Sequence, residues 1–257
     1  MSTLAAIVLT KNEEPHIGAC LDSLAWVDRS AGRLIVFDSL STDRTCDIAR
    51  EHGADVIRHP FGDYASQRNA ALDAVVADWI FFVDADERAT PELADEVKMI
   101  LAQAGQGIVG WNVPRHNYLF GKLTHGAGYW PDYQMRLLKH GCARYDRPAS
   151  EIVELEGPSG YLKNPLIHYN YESIAQFHQK QTFRIDFEAT NLYQQGAKSR
   201  FYTPYSMTVK HFWWRFVSLK GYQDGLHGLR LSWLLAYYFG YRYYRRLAEM
   251  WRAKAGT

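Results

Sequence analysis

Three carboxylates follow an apolar run in the segment WIFFVDADE, residues 79–87. Alternate residues at the end of an extended strand point the same way, so Asp84 and Asp86 can face one hard cation. Without a cation, two such carboxylates repel each other and one of them tends to hold a proton. A cation bound by one or two carboxylates keeps other positions open for phosphate oxygens. The spacing therefore indicates a divalent-metal site that also receives phosphate; the simpler interpretation is a strand end with a solvated acidic loop.

The segments around this motif alternate between strand and helix patterns. Apolar runs predict strands over residues 4–9, 33–38, 54–58 and 79–83. Helical spacing and capping residues predict helices from Ile17, from Ser41 or Asp43 to Gly53, over 64–76, and from the pair Thr90-Pro91. Strands that are apolar on both faces and separated by helices predict a parallel sheet covered on both sides.

Polar residues follow three of the predicted strands, at 10–13, 38–39 and 84–86. Because ligands bind beyond the carboxyl ends of the strands in such sheets, we expect these residues to converge on one crevice. No GxGxxG segment follows the first strand, and neither GxxxxGKS nor GxxxxGKT occurs. The sequence therefore lacks the main signatures of dinucleotide oxidoreductases and P-loop nucleotidases.

Composition places the chain among folded globular proteins, since its 257 residues are 47% hydrophobic and include no low-complexity tract. The three cysteines, Cys20, Cys46 and Cys142, are far apart, which argues against a disulfide framework or a zinc cluster and favours a reducing compartment. The first residues, MSTLAAIVLTKNEE, have no basic region before their short apolar run. They predict a first strand rather than a secretory signal, and we expect a cytoplasmic protein.

Charge and aromatic residues are concentrated at the C-terminal end. Residues 204–257 hold nine Lys and Arg against two Asp and Glu, and 14 of the 37 aromatic residues. If residues 226–252 are helical, two sets of residues lie on opposite sides. The apolar face holds Leu229, Trp233, Ala236, Gly240, Tyr243, Leu247 and Met250, and the basic arc holds Arg230, Arg242, Arg245, Arg246 and Arg252.

This pattern is typical of a helix that lies in a membrane interface, and the arginines interrupt it too often for a helix that spans the bilayer. The alternative is internal: Trp213, Trp214 and the tyrosines pack on the catalytic domain or on a second subunit. Nucleic-acid binding is disfavoured, because no RNA-binding or helix-turn-helix motif accompanies the basic residues.

Four segments in family order resemble the inverting GT-A glycosyltransferases that use nucleotide-diphospho-sugars: AIVLTKNEEPHIGACLDSL, IVFDSLSTDRTCDIA, ASQRNAAL and FFVDADE. Three later segments, GYWPDYQMRLLKH, RPASEIVE and LIHYNYES, resemble the branch that elongates lipopolysaccharide or lipooligosaccharide cores. Where that branch usually has valine-histidine-glutamate, this sequence has Ala149-Ser150-Glu151. Leu40 replaces a common glycine, which suggests a slightly different turn after Asp38.

The resemblance implies an α/β protein with a GT-A fold, a Rossmann-like αβα sheet that binds a nucleotide sugar, and a C-terminal amphipathic helical extension. The catalytic domain would cover residues 1–203, with a nucleotide-binding half at 1–105 and an acceptor half at 106–203. Residues 204–257 would form the basic aromatic tail.

The resemblance also implies roles for individual residues. Those implied to bind the nucleotide sugar are Thr10, Glu13, Asp38, Arg68 and Asp84. Asp38 would accept a hydrogen bond from uracil, Arg68 would approach the diphosphate, and Asp86 would hold Mn²⁺ or Mg²⁺.

Further assignments concern residues of the acceptor half. Glu151 is the candidate base and Asp132 the second candidate. His168 either reaches the metal or the diphosphate, or is a hydrogen-bonded structural residue.

Structural alternatives remain for several of these residues. Asp38 and Asp43 can be helix caps, Arg68 a surface residue, Glu13 part of a first helical turn, and Glu151 an exposed loop acid.

We therefore expect an inverting glycosyltransferase that moves a hexose from a UDP-sugar to a lipid-linked saccharide, such as a lipopolysaccharide or lipooligosaccharide core. We expect the enzyme to bind peripherally to the anionic inner face of the plasma membrane. The alternatives are a metal-dependent nucleotidyltransferase, which usually carries a glycine-rich loop after its first strand, and a non-catalytic sugar-nucleotide binder at a membrane surface. The donor sugar, the linkage and the oligomeric state stay open.

Overall fold

The computed structural model describes residues 2–27, 32–103, 107–146 and 152–255. The chain forms two compact units. Unit 1 consists of Met1–Arg115 and Tyr133–His168, and unit 2 of His116–Asp132 and Tyr169–Thr257. The boundary predicted between residues 203 and 204 falls inside unit 2, because helices on both sides of it contribute to one core.

The strands are β1 (Leu4–Thr10), β2 (Gly32–Asp38), β3 (Asp55–Arg58), β4 (Trp79–Asp84), β5 (Glu87–Ala89), β6 (Gly110–Leu119), β7 (Lys122–Thr124), β8 (Asp132–Lys139), β9 (Ala143–Asp146), β10 (Ile152–Leu155), β11 (Ser159–Tyr161) and β12 (Leu166–Tyr171). The α-helices are α1 (Ile17–Ser23), α2 (Thr45–Glu51), α3 (Tyr64–Ala74), α4 (Pro91–Ala102), α5 (Ile174–Gln194), α6 (Thr203–Trp213), α7 (Gly225–Ala236) and α8 (Tyr243–Ala255). Two π-helical segments, Trp214–Ser218 and Tyr237–Arg242, and a 3₁₀ segment, Gly221–Asp224, lie among the last helices.

The sheet of unit 1 begins as the sequence predicts. The strands β3, β2, β1 and β4 are neighbours in that order and all run parallel. Beyond β4 the sheet becomes mixed, since β8 pairs with β4 antiparallel and β12 pairs with β5 antiparallel. The parallel-sheet prediction is thus confirmed for the first four strands, which carry the polar strand ends.

Both faces of this sheet are covered. Phe81 and Val83 of β4 pack on one side with α1 and α4, whereas Ile80 and Phe82 pack on the other side with α3. Fully burying one such phenylalanine contributes roughly 1.5–3 kcal/mol. Thr90 caps α4 as predicted, because its hydroxyl accepts a hydrogen bond from the backbone N–H of Leu93. The strand β4 is therefore packed on both faces up to Val83, directly before its carboxylates begin.

Unit 2 has its own apolar core, built largely from α5 and the helices after it. Phe177 and Ile185 of α5 belong to one buried cluster with Leu231 and Leu235 of α7 and with Tyr243 of α8. In the part of the chain that the structure describes, no helix is both long enough and apolar enough to cross a bilayer.

The C-terminal helix differs from the single amphipathic helix predicted over 226–252. Leu229 and Trp233 were expected on its apolar face but are exposed, while Leu231 and Leu235 are buried. The cause is the π-helical segment Tyr237–Arg242, because a π-helical turn holds more residues than an α-helical one and rotates α7 relative to α8. From Ala236 onward the predicted face is mostly inside the core.

Candidate active site

The register of β2, β1 and β4 brings the polar strand ends to within one residue of the same level of the sheet. Thr10 lies opposite Asp38, and Leu9 lies opposite Asp84. Neighbouring strands are about 4.8 Å apart, so Asp38 and Asp84 are separated by about 10 Å across the strand between them. The strand ends lie at one edge of the sheet, as the strand order predicted. The convergence of their side chains on one crevice stays a prediction.

Asp84, the first carboxylate of the DxD motif, is clamped by two arginines. Arg68 of α3 donates to its Oδ1 at 3.1 Å, and Arg136 of β8 pairs with both of its oxygens. Burial alone would raise the pKa of Asp84, but the guanidinium groups of Arg136 and Arg68 hold that pKa well below its ordinary value. Asp84 is therefore an ionised carboxylate that is fixed in position.

Arg68 was predicted near the diphosphate and is found against this carboxylate. Its guanidinium also lies over the rings of Phe82 and Tyr145, at 5.2 and 5.5 Å from their centroids. The side chain is buried, so the alternative of a surface residue is wrong.

Glu87 is the third carboxylate of the segment, and it is structural. It is fully buried and accepts hydrogen bonds from Arg136 Nη2 at 2.6 Å and from Arg115 Nη1 at 3.2 Å. It also accepts from the backbone N–H of Asp84 at 2.9 Å. The arginine between the two carboxylates, Arg136, thus ties the DxD motif to the neighbouring strand.

Asp86, the second carboxylate of the motif, lies next to His168. The strand β12 pairs with β5 so that His168 is opposite Glu87, and the Nε2 atom of His168 is 3.6 Å from the Oδ2 atom of Asp86. The two side chains are 10% and 24% exposed. The structure therefore brings together the two residues predicted as metal ligands.

The separation of these two atoms suits a shared cation. Two ligand atoms that each lie about 2.1 Å from one cation are about 3 Å apart at a right angle, and farther apart at wider angles. Over residues 2–27, 32–103, 107–146 and 152–255, no group of three or more His, Cys, Asp and Glu side chains is placed to hold a metal. A cation at Asp86 and His168 would take its remaining ligands from phosphate oxygens and water, as Mg²⁺ usually does.

The other end of the crevice is a buried polar cluster around Asp38. Its carboxylate accepts from the hydroxyl of Thr10 at 3.1 Å and from the backbone N–H of Ser41 at 2.9 Å, and Arg58 Nε lies 3.6 Å away. Burial would raise the pKa of Asp38, but the hydrogen bonds from Ser41 and Thr10 lower it below its ordinary value. Asp38 is therefore ionised at neutral pH.

The loops beside this cluster hold the remaining predicted residues. The backbone N–H of Glu13 donates to the Thr45 hydroxyl at 2.8 Å, and Asp43 accepts from the backbone N–H of Thr45, the first residue of α2. Leu40 has a φ of +59°, the conformation that glycine favours. Leu40 therefore adopts a backbone conformation that a glycine adopts without strain; whether the turn differs from that of the family stays a prediction.

A cavity of about 270 Å³ opens beside Asp84. Both arginines of the clamp line it, together with Asn112, Tyr133 and Tyr145 among others. Its lining is mostly polar, which suits a polyhydroxylated ligand.

Comparison with known proteins assigns the chain to a family. The family described as Glycosyl transferase family 2 matches residues 5–150, more than half of the chain. The chain belongs to glycosyl transferase family 2. The predicted GT-A fold with a helical C-terminal region is confirmed, and this glycosyltransferase carries its DxD motif within the matched residues.

Two curated relatives extend the match beyond the family segment. The glycosyltransferase is 31% identical over 216 residues to the lipopolysaccharide core biosynthesis glycosyltransferase LpsC of Rhizobium meliloti, covering 77% of this chain and 75% of LpsC. It is 29% identical to an uncharacterized glycosyltransferase of Rickettsia felis, covering 84% and 78% of the two chains. Among solved structures, glucosyl-3-phosphoglycerate synthase of Mycobacterium tuberculosis aligns with a TM-score of 0.49 and 19% identity, covering 76% of this chain and 80% of that one.

The described part of the glycosyltransferase includes one of the two candidate bases, Asp132. Glu151 lies outside the described residues; the flanking strands β9 and β10 pair with each other, and Tyr145 and Val153 near their ends line the cavity. Asp132 belongs to unit 2, where it accepts a hydrogen bond from Asn117 Nδ2 at 2.9 Å. The choice between them stays a prediction.

Sequence reasoning missed Arg136, Arg115 and Glu87 as parts of the site. Arg136 lies in the segment GYWPDYQMRLLKH, and the family resemblance of that segment implies no role for its arginine. A lone arginine directly before two leucines of a strand is a signal for a buried ion pair, because a buried charge needs a partner.

Proposed function

We propose that this glycosyltransferase moves a hexose from a UDP-sugar to a lipid-linked saccharide with inversion at the anomeric carbon. The observation that carries the proposal is that the two aspartates of the DxD motif have different partners. Asp84 is held by two arginines, whereas Asp86 lies beside a histidine at a distance that suits a shared cation. Such an arrangement serves a sugar nucleotide whose diphosphate completes the coordination of the cation.

The nucleoside would bind at the carboxyl ends of β1 and β2. Asp38 is ionised there, and a carboxylate that accepts a hydrogen bond from an imide N–H makes a charge-assisted bond. Its oxygens already accept from Thr10 and Ser41, so its assignment to uracil rests on the resemblance of the segment IVFDSLSTDRTCDIA. The ribose would lie across the end of β1, the strand between β2 and β4.

The residues that would hold Mn²⁺ or Mg²⁺ are Asp86 and His168. The cation would offset negative charge that develops on the departing diphosphate. Asp84 positions this end of the strand: its clamp by Arg68 and Arg136 keeps the motif from rearranging when Asp86 engages a ligand.

Transfer would be a single displacement. The acceptor hydroxyl oxygen forms a bond to the anomeric carbon while the bond from that carbon to the diphosphate oxygen breaks, and UDP leaves with the bonding electrons. Glu151 would take the proton of the attacking hydroxyl. Two observations support Glu151. Tyr145 and Val153, on the strands β9 and β10 before and after it in sequence, line the cavity. Arg68 and Arg136, which pair with Asp84, line the same cavity.

The acceptor class is proposed from the relative LpsC, whose name states a role in lipopolysaccharide core biosynthesis. A core saccharide carried on lipid is polyhydroxylated and often anionic, which suits the polar lining of the cavity.

A donor panel tests the proposal. UDP-, GDP- and CMP-sugars are offered with a lipid-linked core acceptor in the presence of Mn²⁺, Mg²⁺ or EDTA, and the glycosylated product is detected by mass spectrometry. We expect a product from a UDP-hexose with a divalent cation and none with EDTA. The exposed acid Glu154 of β10 lies three positions after Glu151 in the sequence, so Glu154→Gln is the matched control for Glu151→Gln. Product from a GDP- or CMP-sugar alone would overturn the donor assignment, and an undiminished yield in EDTA would overturn the metal assignment.

A further inference from the structure

Unit 2 exposes large apolar side chains along two neighbouring helices. On α6 and the π-helical turn after it, Val209, Trp213 and Val217 recur every four residues and are exposed. On α7, Leu226 and Trp233 are 84% and 58% exposed, and Trp213 is 63% exposed. Residues four apart lie on one side of a helix, so each helix presents an apolar stripe.

The two stripes lie on helices that contact each other. The helices α6 and α7 pack against each other, and the ring of Phe212, next to Trp213, lies 5.8 Å from the ring of Trp233. We call the surface formed by Val209, Trp213, Val217, Leu226, Leu229 and Trp233 the aromatic face. Contiguous exposed apolar patches of this kind mark interaction sites.

The segment that contains the aromatic face is basic. Between residues 196 and 235 the sequence has six Lys and Arg and a single acid, Asp224. Lys210, Lys220 and Arg230 are exposed. Asp224 is used internally, because its carboxylate accepts from the backbone N–H groups of His125 and Gly126.

Arg245 and Arg246, which the sequence pattern placed on the basic arc of a membrane-binding helix, pair with acidic residues of unit 2. Arg246 pairs with Asp186 at 2.5 Å and with Glu249 at 3.3 Å, and Arg245 lies 3.7 Å from Glu249. The apolar face predicted beside them is mostly buried from Ala236 onward. The surface available to a partner is therefore on α6 and α7 rather than on α8.

We propose that the aromatic face docks on an anionic lipid bilayer, with Trp213 and Trp233 in the interfacial layer and Lys210, Lys220 and Arg230 against the lipid headgroups. Tryptophan on an apolar face and basic residues at its edge are the composition of interfacial helices. A second copy that used the same face would bring these cations against their own counterparts, which disfavours a symmetric dimer. This inference rests on the proposed lipid-linked acceptor, which such docking would bring within reach of the enzyme.

Vesicle flotation with the full chain tests the inference. The triple variant Trp213→Ser, Leu226→Ser and Trp233→Ser removes the apolar contacts. Its matched control, Tyr64→Ser, Val76→Ser and Met99→Ser, changes three exposed apolar residues of unit 1.

We expect the wild-type chain to bind phosphatidylglycerol vesicles at least tenfold more tightly than phosphatidylcholine vesicles. The aromatic-face variant should lose at least tenfold in binding to the anionic vesicles, while the control variant binds like the wild type. Lys210→Gln, Lys220→Gln and Arg230→Gln together should weaken binding chiefly at low salt, because exposed charges are screened as salt rises.

Equal binding of the aromatic-face variant and the wild type would overturn the inference, as would equal or absent binding of the wild type to both lipids. A wild-type dimer that the triple substitution converts to a monomer would assign the face to a second copy instead. Hydrolysis of the UDP-sugar is measured on the same samples and should be unchanged in the triple variant. Normal vesicle binding without hydrolysis or transfer by the wild type would contradict the proposed function and leave the docking surface in place.

Discussion

Replacing Arg136 by methionine removes the cation that links Asp84 and Glu87. All three side chains are mostly or fully buried, and Arg136 contacts both carboxylates. Removing one partner from a buried ion pair costs about 3–5 kcal/mol, because a charge is left without compensation. Arg68 still pairs with Asp84 and Arg115 still pairs with Glu87, so we expect the lower end, about 3 kcal/mol, for the loss in free energy of unfolding.

The pH dependence of this loss has a definite sign. In the wild type the pKa of Asp84 is depressed, so its ion pairs stabilise the fold above the ordinary aspartate pKa of about 3.9 and are lost only as the pH falls below that value. In Arg136→Met the pKa of Asp84 rises, and the carboxyl group takes up a proton as the pH falls. The stability deficit of the variant should therefore be largest near neutral pH and shrink as the solution becomes acidic.

Urea unfolding at about pH 7.5 and about pH 4.5 measures both effects. Arg144→Met is the matched control, because Arg144 also pairs with an aspartate, Asp73, at 2.6 Å, but both side chains are exposed. An exposed pair contributes about 0–1 kcal/mol. A loss in Arg136→Met no larger than that in Arg144→Met, or a deficit that grows toward acidic pH, would refute the reasoning about the clamp.

Three further predictions concern the base and the backbone. Glu151→Gln should lower transfer by roughly 10²- to 10⁴-fold while UDP still binds; normal transfer in this variant together with a loss in Asp132→Asn would reassign the base. In Gly240→Ala the added Cβ would lie 2.4 Å from Thr208 Cα, so thermal unfolding should report a loss of about 1–3 kcal/mol. Leu40→Gly should raise stability by up to about 1 kcal/mol, because Leu40 has a left-handed backbone conformation, and an unchanged or lower melting temperature would argue against strain there.

The parts of the fold that sequence reasoning predicted are those with local signals. The first four strands are continuous apolar runs, and the helix α4 begins at a threonine cap followed by proline. Asp84 and Asp86 were predicted as site residues because their spacing at a strand end restricts where both carboxylates can point.

The parts that sequence reasoning missed depend on contacts between distant residues. Arg136 meets Asp84 across 52 positions of sequence and Glu87 across 49, and no local pattern in either segment records that pairing. The predicted apolar face of the C-terminal helix was wrong for a related reason. Packing of α6 against the π-helical turn at Gly240 determines which residues face inward, and a period of 3.6 residues does not include such a turn.

The central claim is that Asp86 and His168 hold the cation through which this glycosyltransferase binds UDP. Calorimetric titration of UDP into the full chain, with Mn²⁺ or with EDTA, tests it most directly. Asp86→Asn is compared with Asp95→Asn, a change at an exposed aspartate of α4. We predict that UDP binds at least tenfold more tightly with Mn²⁺ than with EDTA, and that Asp86→Asn abolishes this difference while Asp95→Asn preserves it. Equal binding of UDP by the wild type with Mn²⁺ and with EDTA, or a full Mn²⁺ effect in Asp86→Asn, would contradict the claim.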